Sequence, residues 1–181
     1  MDRVAAGVPR AADAARIGNV LPIPGSGTSH AALFDGAGSF VSIPEVRLAG
    51  AFTIEAWADL CGLISNEDAI VGHGRGTPNV NFFEQHLRLF VGDPGDLVVA
   101  GTAARPGVWE HWAIERDADG TRIYRNGVLD AEGATWTDPL VIDEIGRGDV
   151  GVLHGMLDEV AVYDVALTAE QLGTHVAAAG N

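Results

Sequence analysis

From Ala31 onward, short apolar runs are cut by turn-forming residues, and this rhythm restricts the fold more than any other feature of the chain. AALF ends at Asp35-Gly36, SFVSI ends at Pro44, and AFTIEAWADL forms one long apolar-rich stretch. DAIVGH, NVNFFE, HLRLFV and LVVAG follow, separated by GRGTP, Gln85 and GDPGD. WEHWAIE, TRIYR, GVLD, LVIDEI and HGMLDEVAVYD complete the series. Many short strands with turn signals roughly every 8–12 residues indicate an all-β sandwich or barrel. Only Thr168–Val176 reads as a helix, with Thr168 as its cap and Gln171 reaching back to it. Residues 1–30 differ in texture, with Pro-bounded extended pieces and many small residues, and are read as an N-terminal arm to a domain spanning 31–181.

The stretch HWAIERDADGTRIYRNG at 111–127 tests this reading, because its charges could mark an acidic active site or a metal loop. A strand alternates its side chains. His111, Ala113 and Glu115 therefore point one way, and Trp112, Ile114 and Arg116 the other. RDADG turns the chain, Thr121–Arg125 returns it, and Asn126-Gly127 is the strongest short hairpin signal available. The passage is a β-meander, and its Asp117-Ala-Asp-Gly120 run is read as turn chemistry because a calcium loop would need a bidentate Glu further on.

GVWEHWAIERDADGTRIYRNG resembles the meander of the laminin-G-like, concanavalin-A-like jelly rolls. ALFDGAGSFVSIP, AFTIEAWADL and HGMLDEVAVYDVALTAEQL follow the same family's order, so the resemblance spans roughly 31–172. It implies an antiparallel β-sandwich of jelly-roll type with one short C-terminal helix. In that family the Asp of the terminal strand often binds a structural Ca²⁺. The resemblance therefore makes Asp158 a candidate metal ligand, with Asp35 of the FDG turn as a weaker companion.

Some jelly rolls are glycosidases, which need two carboxylates ~5–9 Å apart across one cleft. Asp143/Glu144 and Asp158/Glu159 are sequence neighbours and face opposite ways. Glu55 and Asp59 share a face with Trp57 between them, and the structural reading is preferred. No G-x-S-x-G elbow occurs, and the six His never take H-x-H or H-x-x-x-H spacing. Trp57 and Trp112 are assigned to the core, which is placed around Ile54, Trp57, Ile114, Tyr124 and Val160. His111 is expected to pack and hydrogen-bond within the meander. Trp136, isolated in the loop EGATWTDP, is either a ligand contact or a lid on the sandwich. Arg147-Gly148-Asp149 spells an adhesion tripeptide, but three-letter matches are common and Gly148 supplies a bend.

Charge narrows the partners. Twenty-five acidic residues against eleven basic ones give −14, which opposes binding to nucleic acid or insertion at anionic membranes. All basic residues are Arg, a bias expected of a GC-rich genome. Cys61 is the single cysteine, so no intrachain disulfide forms. The start MDRVAAGVPRAADAARIG lacks the apolar core of a signal peptide.

These features favour a non-catalytic role. The first reading is a bacteriophage virion component, a minor tail or capsid surface protein at the virion surface, contacting other virion proteins or further copies of itself and adhering to a host glycan. In it, Ile17, Val20, Leu21 and Ile23 of the arm make the assembly contacts. The second is a bacterial carbohydrate-binding or adhesion module at the cell surface. A glycoside hydrolase or lyase on the same scaffold is third.

Overall fold

A computed structural model of the chain describes residues 15–17, 21–24, 30–62, 68–74, 76–149 and 151–179, with side chains from Ala31 onward. The described strands form two antiparallel sheets. The first sheet contains β1 (Ala15–Ile17), β4 (Phe40–Leu48), β13 (Leu140–Ile145), β6 (Ala69–His73), β7 (Gly76–Phe83), β8 (His86–Phe90) and β9 (Asp96–Val99), in that spatial order. The second contains β12 (Val128–Gly133), β11 (Thr121–Arg125), β10 (Glu110–Arg116), β5 (Phe52–Leu60), β14 (His154–Tyr163), β3 (His30–Asp35) and β2 (Leu21–Pro24). The architecture is a β-sandwich, one of the two forms expected from the strand rhythm and the one that the family resemblance implies.

The core is what two alternating patterns bury between them. Phe52, Ile54, Ala56, Ala58 and Leu60 project inward from β5, beside Trp112 and Ile114 of β10 and Ile123 of β11. They meet Val46, Val80, Phe82, Leu89, Leu140 and Ile142 from the first sheet, and Trp112 packs edge-on against Phe82 with ring centroids 5.8 Å apart.

The parity of β5 corrects the expected core. Ile54 and Trp57 are three residues apart and so lie on opposite faces of a pleated strand. Trp57 turns outward. Tyr124 stands opposite Ala113, on that same outer face, and is buried there with Ala113, Leu167 and Leu172 beneath the helix α1 (Ala169–Ala179). Ile54 and Ile114 are core as expected, and Val160 packs against it part-buried.

The helix starts as predicted. Thr168 N–H donates to Gln171 Oε1 at 2.9 Å and Gln171 N–H returns to Thr168 Oγ1 at 3.2 Å, a reciprocal capping box. Thr53 ties the helix entry to the sheet: its hydroxyl donates to Val165 O at 2.9 Å and accepts Leu167 N–H at 2.9 Å. The Asn126-Gly127 hairpin has both residues at positive φ, 51° and 76°. A Cβ on Gly127 would lie 2.8 Å from Gly173 Cα, so glycine serves both the turn and the close seat of the helix.

In the arm, β1 pairs with β4, Ile17 standing opposite Phe40, and β2 pairs with β3, Leu21 and Ile23 standing opposite Leu33 and Ala31. Both pieces extend this chain's own sheets. The side chains of Ile17, Leu21 and Ile23, and all of Val20, lie outside the described residues.

Candidate binding site on the outer face of the second sheet

A pocket of about 320 Å³ opens on the solvent side of the second sheet. Glu55 and Trp57 of β5 and His111 of β10 form its floor, Tyr163 and the 159–161 segment of β14 one side, and His175 of α1 another. His111 and Asp158 flank Trp57 on the adjacent strands. The register of β14 slips between Asp158 and Ala161, a bulge that pushes Glu159 out into solvent at φ 50°.

Glu55 is the hub. Its Oε1 accepts the Tyr163 hydroxyl at 2.7 Å and lies 2.9 Å from His175 Nδ1; its Oε2 lies 3.1 Å from His111 Nε2. Burial raises the Glu55 carboxyl, but the hydrogen bonds from His111 and Tyr163 and the charges of the two histidines outweigh it, so the group ionises below the usual glutamate range. The Trp57 ring meets His111 edge-on at 5.5 Å, and Tyr163 stacks with His175 at 6.2 Å. The network joins three strands and the helix and leaves the Trp57 ring part-exposed beside it. Its chemistry is that of a binding floor: an apolar ring face bordered by fixed polar groups.

Asp59, on the same face of β5, is buried, and burial raises its carboxyl despite the Gly107 N–H. Four residues along a strand separate it from Glu55 by about 13 Å.

The other predicted residues resolve into structural work. His111 N–H donates to Asn126 Oδ1 at 2.9 Å within the meander, but its ring reaches Glu55 of β5 instead of a meander partner. Asp117 Oδ1 accepts Asp119 and Gly120 N–H at 2.8 and 3.1 Å, which is turn chemistry. Trp136 packs part-buried on the core, its ring 5.2 Å from the Arg116 guanidinium. Arg116, itself buried and lowered by that burial, donates to the carbonyls of Leu48, Gly50 and Asp138. Arg147 pairs with Glu144, and Asp149 accepts Asn79 Nδ2 at 3.0 Å, so both charges of the tripeptide are engaged.

Asp35 Oδ1 accepts Ala37 N–H at 2.9 Å and the Ser39 hydroxyl at 2.7 Å. Asp158 Oδ1 accepts Glu159 N–H at 2.8 Å. Asp35 stands opposite His154, four residues along β14 from Asp158, about 13 Å away. At that separation the two carboxylates are too far apart to share one calcium ion. Among the described residues no group of three or more His, Cys, Asp or Glu is arranged to hold a metal ion, and no helix is long and apolar enough to cross a membrane.

Sequence reasoning missed the Glu55–His111–Tyr163–His175 cluster. The available signal was a glutamate inside the apolar run FTIEAWADL and a histidine inside WEHWAI, two polar residues at mid-strand of neighbouring apolar strands.

Solved structures share the fold. Domain 4 of AbnA, a GH43 extracellular arabinanase from Geobacillus stearothermophilus, in complex with arabinotriose, superposes with a TM-score of 0.72 at 19% identity, covering 87% of this chain and 81% of that one. Trypanosoma rangeli sialidase in complex with the inhibitor DANA matches with a TM-score of 0.66 at 15% identity, over 90% of this chain and 29% of that one. The binding domain of botulinum neurotoxin DC in complex with rat synaptotagmin II gives a TM-score of 0.64 at 12% identity, over 92% and 46%. The chain thus spans most of the arabinanase domain and less than half of the other two. No curated protein matches it. The family model described as the concanavalin A-like lectin/glucanases superfamily matches residues 35–173, and the chain belongs to that family.

Proposed function

We propose that the chain is a non-catalytic module that binds carbohydrate on the outer face of the second sheet. The observation that carries this reading is Trp57: an indole part-exposed on the floor of a 320 Å³ pocket, with hydrogen-bonding side chains around it. An aromatic face suits the apolar face of a sugar ring, and bordering polar groups suit its hydroxyls. The arabinotriose complex of the arabinanase domain supports a saccharide on this scaffold. The non-catalytic half of the proposal rests on Glu55, whose two oxygens already hold three donors, and on its distance from Asp59.

Calorimetric titration with neutral oligosaccharides, arabino-oligosaccharides among them, tests the reading. Binding is expected, and Trp57→Ala should abolish it while leaving the protein folded. Unchanged binding by that variant, or none by the parent across the panel, overturns it. Release of reducing sugar that Glu55→Gln abolishes would overturn the non-catalytic half.

We include a particle-surface setting in the proposal, supported by the Lys-free, acidic composition. Mass spectrometry of purified phage particles tests it, and a free secreted protein in the culture medium would count against it.

A further inference from the structure

We propose that the ligand of the Trp57 pocket is an amino sugar bearing a free ammonium group, with Glu159 as the residue that selects it; this rests on the carbohydrate-binding reading above. Two carboxylates, Glu55 and Glu159, line the pocket, and no arginine is among its described lining residues. The two carboxylates differ in what they have left to give. Glu55 is buried, ionised and filled by Tyr163, His111 and His175, so it contributes field without contact. Glu159 is exposed at the rim, carried on the bulge of β14.

The backbone under Glu159 adds a second, independent observation. Glu84, Gln85, Asn126 and Glu159 are the described non-glycine residues with positive φ. The first three sit in tight hairpin connections, where that conformation closes the turn. Glu159 lies within β14, at a bulge beside the pocket, and bulges and left-handed non-glycine residues are both enriched next to ligand sites. Its side chain is exposed and lines the pocket.

An ammonium group held there would lie close to an indole, the best aromatic partner for a cation. It would also form a charge-assisted hydrogen bond to a carboxylate with no competing arginine at the rim. A carboxylated sugar would meet the like charge of Glu159 at the rim, while the Glu55 carboxylate beneath is already paired with the His111 and His175 rings. The neutral, N-acetylated form would keep the stacking and lose the ion pair.

The test is titration at neutral pH with a glucosamine trisaccharide, its N-acetylated counterpart and a galacturonate trisaccharide. The amino form is expected to bind about tenfold or more tightly than the acetylated one, and the uronate most weakly. Glu159→Gln should erase the preference. Glu45→Gln, an exposed site on β4 of the other sheet, should leave it intact, which separates the site from the overall negative charge of the protein. Equal affinity of the amino and acetylated forms, with Trp57 still required, overturns the inference and leaves the carbohydrate-binding reading standing. A preference that survives Glu159→Gln overturns it too. A trilysine peptide that binds as well as the amino sugar would move the site to basic peptides and overturn it. Absence of binding by all three saccharides, where neutral oligosaccharides of the wider panel still bind, overturns the inference alone; absence of binding across the whole panel removes both readings.

Discussion

Trp112 and Trp57 stand on neighbouring strands, β10 and β5, one residue out of register with each other, and they live in different proteins as far as their surroundings are concerned. Trp112 lies opposite Ala56 and is buried in hydrocarbon between the sheets. Trp57 lies opposite His111 and faces outward over a polar network. The inner face is closed mainly by packing, with Arg116 at its edge bonded to the carbonyls of Leu48, Gly50 and Asp138. The outer face is closed by a helix that must dock on strand positions occupied by Thr53, Glu55 and Tyr124, so its burial is polar and incomplete. A sandwich with one helix has an outer face to spare, and the unfilled part of that face holds the Trp57 pocket.

The sharpest way to break this comparison is to truncate both tryptophans. Trp112→Ala should cost about 3–5 kcal/mol by chemical denaturation, because it leaves a large cavity in a close-packed core. Trp57→Ala should cost about 1 kcal/mol, as a part-exposed side chain does, while removing ligand binding. Equal losses would erase the distinction between the faces.

Next in size is Glu55→Ala. Removing a buried acceptor takes away the hydrogen bonds that Tyr163, His111 and His175 make to it, at about 3 kcal/mol. Amide exchange in α1 should accelerate along with the loss. The pH dependence follows from the lowered carboxyl of Glu55, whose ordinary value is 4.5. A depressed carboxylate stabilises the fold fully above that value and loses the contribution as pH falls through the lower, folded-state one. Glu55→Gln should therefore flatten part of the acid limb below pH 4.5. An unchanged limb would show that the hub carries no such linkage.

Asp35 sharpens the same point from a turn. Its carboxyl is drawn from 3.8 to about 2, first by the Ala37 N–H and then by the Ser39 hydroxyl. Its contribution is present above 3.8 and fades as pH falls toward 2. A carbon-detected titration with a midpoint near 2 is expected; a midpoint at the ordinary value would mean that the turn is open in solution.

How much of this was legible depends on which face a residue serves. The inner face follows from period and punctuation: Ile54 and Ile114, the Asn126-Gly127 turn and the Thr168–Gln171 capping box all read directly from local patterns. The outer face does not. β5 and β10 are buried on both sides, so burial does not follow polarity: Thr53, Glu55 and Asp59 alternate with Phe52, Ile54, Ala56, Ala58 and Leu60, and Trp57 is an apolar ring among the polar set. Tyr124 was expected in the core because a buried tyrosine looks alike under a sheet or under a helix. His175 is 120 positions from Glu55, and nothing local to either announces the contact. A site made by docking a helix on a sheet is written in tertiary contacts, whereas a turn is written in its own residues.

The smallest effect concerns the bulge itself. If Glu159 holds a positive φ of 50° for the sake of its carboxylate, then Glu159→Gly should relieve the strain of a left-handed L-residue, of about 1–2 kcal/mol. It would add back part of that as unfolded-chain entropy, about 0.5–1 kcal/mol. The net expectation is a gain of about 0.5 kcal/mol by guanidinium denaturation, joined to a loss of selectivity for the amino sugar. Inner-face positions offer no such exchange, since any truncation there removes packing. A stability loss in Glu159→Gly would mean that the side chain supports the bulge, and the outer face would then be built for stability like the inner one.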